Sequence, residues 1–112
     1  MIVDEIGAQA VAHDSGAIVA STARDAFVYA RGGRTITLPV EPLATYYFRL
    51  PESPTWSDGT PLTPEEGQQL LDDVAATFDH WGERCEFVPP DDPRILRTLE
   101  AVVDYVRTQA QA

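Results

Sequence analysis

The stretch AFVYARGGRTITLP, residues 26–39, decides the fold of this chain. Two runs rich in β-branched and aromatic residues flank a Gly-Gly pair, a pattern typical of a β-hairpin with a two-residue loop. A loop at residues 32–33 pairs Arg31 with Arg34 and places large apolar side chains of both strands on one face. Because a shift of one residue would mix the two faces, the sequence specifies this register. The apolar face comprises Phe27, Tyr29, Ile36 and Leu38.

Two further strands and an alanine-rich N-terminal segment surround this hairpin. TYYFRL, residues 45–50, alternates between the two sides of a strand, and the prolines behind it end the sheet because proline cannot donate to a ladder. RCEFV, residues 84–88, predicts a short strand in which Cys85 and Phe87 share a face. Residues 1–25 permit either a weak hairpin or a frayed helix followed by a strand.

Two helices are predicted from their start signals and their apolar spacing. The first begins with TPEE, in which Thr63 is the N-cap and Glu66 completes a capping box, and it ends at Gly82. The second is predicted over residues 92–106, where an Asp-Pro start precedes an apolar stripe. We therefore predict one α+β domain over residues 1–112, with a mostly antiparallel sheet of four to six strands and two helices packed on one face.

The charge of the chain limits its partners. Eighteen Asp and Glu residues against eight arginines, with no lysine, give a net charge of −10. Phosphate backbones and anionic lipid surfaces would be repelled, whereas a basic protein would be attracted. The single cysteine and the absence of a signal-peptide pattern favour the cytoplasm. We therefore predict a cytoplasmic protein with no nucleic-acid or membrane partner.

The sequence contains no self-sufficient catalytic or metal-binding set. His13, Asp14 and Ser15 are neighbours in sequence and cannot adopt the geometry of a triad. His80 and Cys85 alone cannot complete a tetrahedral zinc site. The alternation of Cys85 with Phe87 turns its thiol towards the core. We therefore predict no catalytic residues, no metal and no cofactor.

The acidic side chains of the first helix fall on two neighbouring stripes. One stripe contains Gln69 and four carboxylates, and the adjacent one contains Glu66, Asp73 and His80. Such stripes are either a solvated face or a surface for a basic partner. Trp56 is either a lid over the core or an exposed anchor, and aromatic residues and arginine are typical of interface hot spots. The predicted partner-binding residues are Glu65, Asp72, Asp79, Glu83, Trp56, Tyr47 and Arg49.

The order of these features resembles a known family over about residues 25–88. The segments that carry the resemblance are GGRTITLPVEPL, TYYFRLPESPTW, PLTPEEGQQLLDDV and HWGERCEFV. Together they are similar to small immunity proteins of bacterial polymorphic toxin systems. The resemblance implies a non-enzymatic cytoplasmic inhibitor, monomeric or homodimeric, that binds and neutralises a cognate toxin. The net charge adds the expectation that this toxin is basic.

Two other functions remain open at this point. A small enzyme or ligand-binding domain would place a pocket between the sheet and the helices, using Tyr46, Arg49 and His80. A homodimeric structural protein would instead pair through an edge strand. A deep pocket that gathers the three polar groups would favour the enzyme, and a large self-complementary apolar patch would favour the dimer.

Overall fold

The computed structural model describes residues 2–7, 9–90 and 107 of the 112-residue chain. Within these residues seven strands and one helix follow one another along the chain. They are β1 (Ile2–Gly7), β2 (Ala10–His13), β3 (Ile18–Ala23), β4 (Ala26–Arg31), β5 (Arg34–Pro42), β6 (Tyr46–Arg49), α1 (Pro64–Trp81) and β7 (Cys85–Val88).

The strands form one sheet in which their spatial order equals their order in sequence. Each strand from β1 to β5 pairs antiparallel with the next, whereas β7 pairs parallel with β6. A parallel pair needs a long crossover connection, and α1 lies in that connection. The sheet is therefore mixed rather than wholly antiparallel.

The predicted sheet of four to six strands with two packed helices is wrong. The described residues form a seven-stranded mixed sheet with a single helix. The first 23 residues supply three strands, because Val11 and Val19 reach the core while the alanines beside them fit between neighbouring strands. The second predicted helix, residues 92–106, lies outside the described residues.

The β4–β5 hairpin has the predicted register. Arg31 pairs with Arg34 across a loop in which Gly32 and Gly33 have φ angles of 61° and 77°. Residues with a Cβ rarely adopt such angles, so the glycines permit the tight turn. The predicted apolar face is buried, and it lies under α1.

Phe78 of α1 is the centre of the core beneath the helix. Its ring lies 5.4 Å from the rings of both Phe27 and Phe48, and 5.1 Å from that of Tyr46. The tilted and edge-on geometries of these pairs are the favourable ones for aromatic rings. Burial of each such side chain contributes about 1.5–3 kcal/mol, so the helix is held mainly by its apolar face. The other face of the sheet carries smaller, half-buried side chains such as Ala12, Ala20 and Val28.

Candidate functional site

Helix α1 begins and ends at residues whose side chains and backbone satisfy its free polar groups. The Thr63 hydroxyl accepts a hydrogen bond from the Glu66 backbone N–H at 3.1 Å, and the Glu66 carboxylate accepts one from the Thr63 N–H at 2.9 Å. At the other end, Gly82 adopts a left-handed φ of 71° and its N–H bonds back into the last turn. The predicted N-cap, capping box and terminator are confirmed. They fix where the helix begins and where it ends.

Three carboxylates lie along the exposed face of α1, and a fourth follows the terminating Gly82. Spacings of seven residues keep the first three near one side of the helix, over about 21 Å at 1.5 Å per residue. All four are exposed, and none forms an ion pair within residues 2–7, 9–90 and 107. This α1 stripe consists of Glu65, Asp72, Asp79 and Glu83.

The carboxylates beside the stripe have structural partners. Glu66 lies 3.7 Å from the Arg34 guanidinium, which also lies 4.0 Å from Asp58. The hydrogen bond from the Thr63 backbone is the main reason why the pKa of Glu66 is lowered. His80 donates to the Glu5 carboxylate of β1. These acidic groups are therefore part of the folded framework, in contrast to the α1 stripe.

The sequence places Asp73 on one stripe of the helix with Glu66 and His80. In the structure, however, Asp73 does not face the solvent. Its side chain is buried, with a relative exposure of 1 %, and its carboxylate is the centre of a polar cluster beneath α1. One oxygen accepts from the Tyr29 hydroxyl at 2.8 Å and from the Ser15 hydroxyl at 2.9 Å. The other accepts from the Gln69 amide at 2.9 Å. Hydrogen bonds to an ionised group are stronger than neutral ones, and they offset the desolvation of this carboxylate.

His13 completes the Asp73 cluster, and its proton position follows from its partners. The Thr77 hydroxyl donates to the Asp73 backbone carbonyl at 2.8 Å, so it can only accept from His13. The Nε2 atom of His13 therefore carries a proton, and its Nδ1 atom lies 3.7 Å from an Asp73 oxygen, beyond hydrogen-bond range. Burial lowers the pKa of His13, and the nearby Asp73 carboxylate opposes this effect only in part.

The Asp73 cluster contains the residue types of a hydrolytic triad, but its hydrogen bonds do not connect them in the order that catalysis requires. In a triad the histidine lies between the carboxylate and the nucleophile and takes the proton from the hydroxyl. Here the Ser15 hydroxyl donates directly to Asp73, and the Nε2 atom of His13 points to Thr77. Burial, followed by the Asp73 contact, raises the pKa of Tyr29, so this hydroxyl stays protonated. The cluster therefore ties α1 to β4 and to the β2–β3 turn rather than activating a nucleophile.

The remaining predicted site residues lie away from the α1 stripe. Trp56 has a relative exposure of 2 %, and its ring stacks on Tyr29 at a centroid distance of 6.2 Å. It is thus a lid over the core, and it anchors the loop that precedes α1. Arg49 is buried on the opposite face of the sheet, where its guanidinium donates to Glu41 at 3.1 Å. Tyr47 is half-buried on that same face, opposite Glu41 in the β5–β6 ladder.

The three polar residues considered for a ligand pocket are also separated. Tyr46 faces the core side of β6 and lines an open cleft of about 510 Å³ with Phe27, Phe78 and Trp81. Arg49 points to the other side of the same strand, and His80 is engaged with Glu5. The cleft therefore contains only one of the three groups.

No group of three or more His, Cys, Asp or Glu side chains in the described ranges is arranged to hold a metal ion. In the same part of the chain, no helix combines the length and the apolar character that crossing a bilayer requires. Burial raises the pKa of the half-buried Cys85 thiol, which makes it a weaker ligand and nucleophile.

Comparison of the chain with protein-family models, with curated proteins and with solved structures gives no match.

Proposed function

We propose that this chain is a non-enzymatic inhibitor that binds a basic protein partner through the α1 stripe. The resemblance to small immunity proteins gives the class of that partner, a cognate bacterial toxin. One observation carries the proposal: the four carboxylates of the stripe are exposed and without ion pairs in the described ranges, and three of them lie along one side of α1. A surface of this kind complements a row of arginine or lysine side chains.

The overall charge supports the same type of partner. At a net charge of −10, the field of the whole chain attracts a cationic protein and accelerates its association. Toxins that act on nucleic acids are commonly basic because they bind phosphate backbones. Rapid capture of such a toxin is what protection of a cell requires.

The position of Asp79 and Glu83 adds an energetic argument. Asp79 lies in the last turn of α1 and Glu83 lies just beyond Gly82, at the negative end of the helix dipole. An exposed carboxylate at that end costs about 0.3–1 kcal/mol relative to a neutral side chain. Neither side chain forms an ion pair within the described residues, and a cationic group of a partner would relieve this cost.

Trp56, Tyr47 and Arg49 are not part of the proposed surface. Trp56 and Arg49 are buried, and Tyr47 lies on the side of the sheet away from α1. The proposal therefore rests on the helix alone, with Trp56 supporting the loop that leads into it.

The test is the affinity for the product of the neighbouring gene, measured by calorimetry at fixed ionic strength. We expect the double variant Asp72→Arg with Asp79→Arg to bind at least tenfold more weakly, a loss of about 1.4 kcal/mol. Both residues are exposed, so the fold tolerates the change.

A matched control separates the surface from the net charge. Asp25→Arg with Glu52→Arg changes the net charge by the same amount at two exposed positions outside α1. We expect this control to retain most of the affinity. Equal losses in both double variants, or no loss in either, would contradict a role for the α1 stripe.

A further inference from the structure

Strand β1 leaves one edge of the sheet open among the described strands. It pairs with β2 on one side, and no described strand pairs with its other side. Five of its six residues are exposed, and Val3 and Ile6 have relative exposures of 60 % and 51 %. An edge of this kind presents unpaired N–H and C=O groups that another chain can join.

The register of β1 against β2 makes this edge irregular. Ile2 pairs with His13 and Asp4 with Ala12, so Val3 is an extra residue at a register shift. A second shift between Glu5 and Gly7 leaves Ile6 in the same situation. Such bulges bend and twist a strand, and they discourage indiscriminate pairing without abolishing the edge. The edge thus presents the acidic pair Asp4 and Glu5, with one apolar side chain, Val3 or Ile6, on each side of it.

This edge is continuous with the acidic surface of α1. The Glu5 carboxylate accepts a hydrogen bond from His80, which follows Asp79 directly in the last turn of the helix. A partner on the α1 stripe that extends past the end of the helix would therefore reach β1.

We propose that β1 accepts an extended segment of the basic partner as an additional strand. The inference rests on the proposed function and names a second element of the same interface. Asp4 pairs with Ala12 and Glu5 with Val11, so the two carboxylates lie on opposite faces of the sheet. The segment therefore carries two adjacent arginine or lysine residues, one for each carboxylate, between apolar residues that cover Val3 and Ile6. Opposite charges on adjacent strands stabilise pairing, and like charges destabilise it.

A second copy of this chain fits the edge poorly. Antiparallel self-pairing centred on Asp4 or on Glu5 sets that residue beside its own copy, and in-register parallel pairing does so for both. Either arrangement places like charges next to one another. The charge of the edge therefore selects a basic strand over self-association.

The experiment uses a synthetic octapeptide with the repeat valine-arginine-arginine-valine, blocked at both ends, with the full-length chain. Amide hydrogen exchange is measured for β1 with and without the peptide, because strand addition protects the backbone whereas side-chain attraction alone does not. We expect at least tenfold slower exchange at outward-facing amides of β1. An octapeptide with the repeat valine-glutamate-glutamate-valine should give no protection, and neither should an arginine-valine peptide with a central proline.

A charge-swapped variant keeps the test independent of folding defects. In Asp4→Arg with Glu5→Arg, we expect the preference to invert, so that the glutamate-valine peptide protects β1. Protection that is absent with the arginine-valine peptide, or equal for all peptides, would overturn the inference. A dimer of the free chain in sedimentation velocity, with β1 already protected, would also overturn it.

The outcome is separable from that of the proposed function. If the α1 variants lose the partner but the peptide leaves β1 unprotected, strand addition fails alone. If the peptide protects β1 but the α1 variants keep full affinity, the α1 stripe fails alone.

Discussion

The substitution Asp73→Ala tests whether the polar cluster beneath α1 holds the fold together. Asp73 and the neighbouring Asp72 are identical in chemistry and adjacent in sequence, but they differ in environment. Asp73 is buried and accepts three side-chain hydrogen bonds, whereas Asp72 is exposed and accepts one from Gln68. Asp72→Ala is therefore a control with the same change of side chain and charge.

The expected magnitude follows from the partners of Asp73. A hydrogen bond to a charged group contributes about 1.5–3 kcal/mol, and loss of the carboxylate leaves the buried Tyr29 hydroxyl without its acceptor. Relief of the desolvation of a buried charge, which is several kcal/mol in size, offsets part of the loss of three such bonds. We expect a net decrease of about 3 kcal/mol in the free energy of unfolding, against about 0.5 kcal/mol or less for Asp72→Ala.

The assay is equilibrium unfolding in urea, followed by tryptophan fluorescence. Trp56 stacks on Tyr29 and Trp81 packs beside Phe78, so both report on the core under the helix. With a slope of about 1.5 kcal/mol per M, the midpoint should fall by about 2 M for Asp73→Ala and hardly move for Asp72→Ala. Equal midpoints for the two variants would refute the structural role of the cluster.

Three further predictions concern pH, glycines and the thiol. Burial lowers the pKa of His13, so the unfolded chain binds a proton at this residue more readily than the folded chain does. Stability in thermal scans should therefore fall as the pH drops below about 6.5, by at most about 1.4 kcal/mol per pH unit. The substitution His13→Gln should flatten this dependence. Gly33→Ala should destabilise by about 1–2 kcal/mol because its φ is 77°, whereas Gly67→Ala, with open space around its Cα in α1, should stabilise by up to about 1 kcal/mol. A stabilising Gly33→Ala or a destabilising Gly67→Ala in urea unfolding would contradict this assignment. Because burial raises the pKa of Cys85, its alkylation at pH 8 should be slower than that of a free thiol, and equal rates would show an exposed, ionised group.

The elements that the sequence predicts are those with local signals. The Gly-Gly loop and the alternation around it specify the β4–β5 register, and the Thr63–Glu66 capping box specifies the start of α1. In each case the residues that decide the structure lie within a few positions of one another. The alanine-rich residues before Ala26 lack such signals, and only pairing with neighbouring strands makes them β1, β2 and β3.

The Asp73 cluster shows what remained hidden and what did not. Asp73 and Thr77 lie three and seven positions after Leu70, so helical spacing alone places both on the apolar face. The charge of Asp73 suggested a solvent-exposed position, although its helical spacing predicts a position on the apolar face. Its partners Ser15 and Tyr29 are 58 and 44 residues away, and only the assembled sheet brings them together. The same holds for Trp56, which a proline-flanked loop carries into the core.

The predicted site residues also differ in whether local sequence signals or long-range pairing decide their positions. The exposure of Glu65, Asp72 and Asp79 follows from the period of one helix, and Glu83 lies just beyond its end. The positions of Tyr47 and Arg49 depend on which face of β6 the helix covers, and that depends on the parallel pairing with β7. The predicted partner-binding carboxylates therefore lie on α1 or just beyond it, whereas Tyr47 and Arg49 lie on the opposite face of the sheet.

The electrostatic claim is tested most directly by the salt dependence of binding to the neighbouring gene product. The dissociation constant of that complex is measured between 50 and 500 mM salt, over which the Debye length falls from about 14 to about 4 Å. Screening of the α1 stripe predicts that affinity falls steeply with salt for the unmodified chain, and that Asp72→Arg with Asp79→Arg removes most of this dependence. An affinity that is independent of salt, or a slope that the double variant leaves unchanged, would contradict the claim that these carboxylates bind the partner.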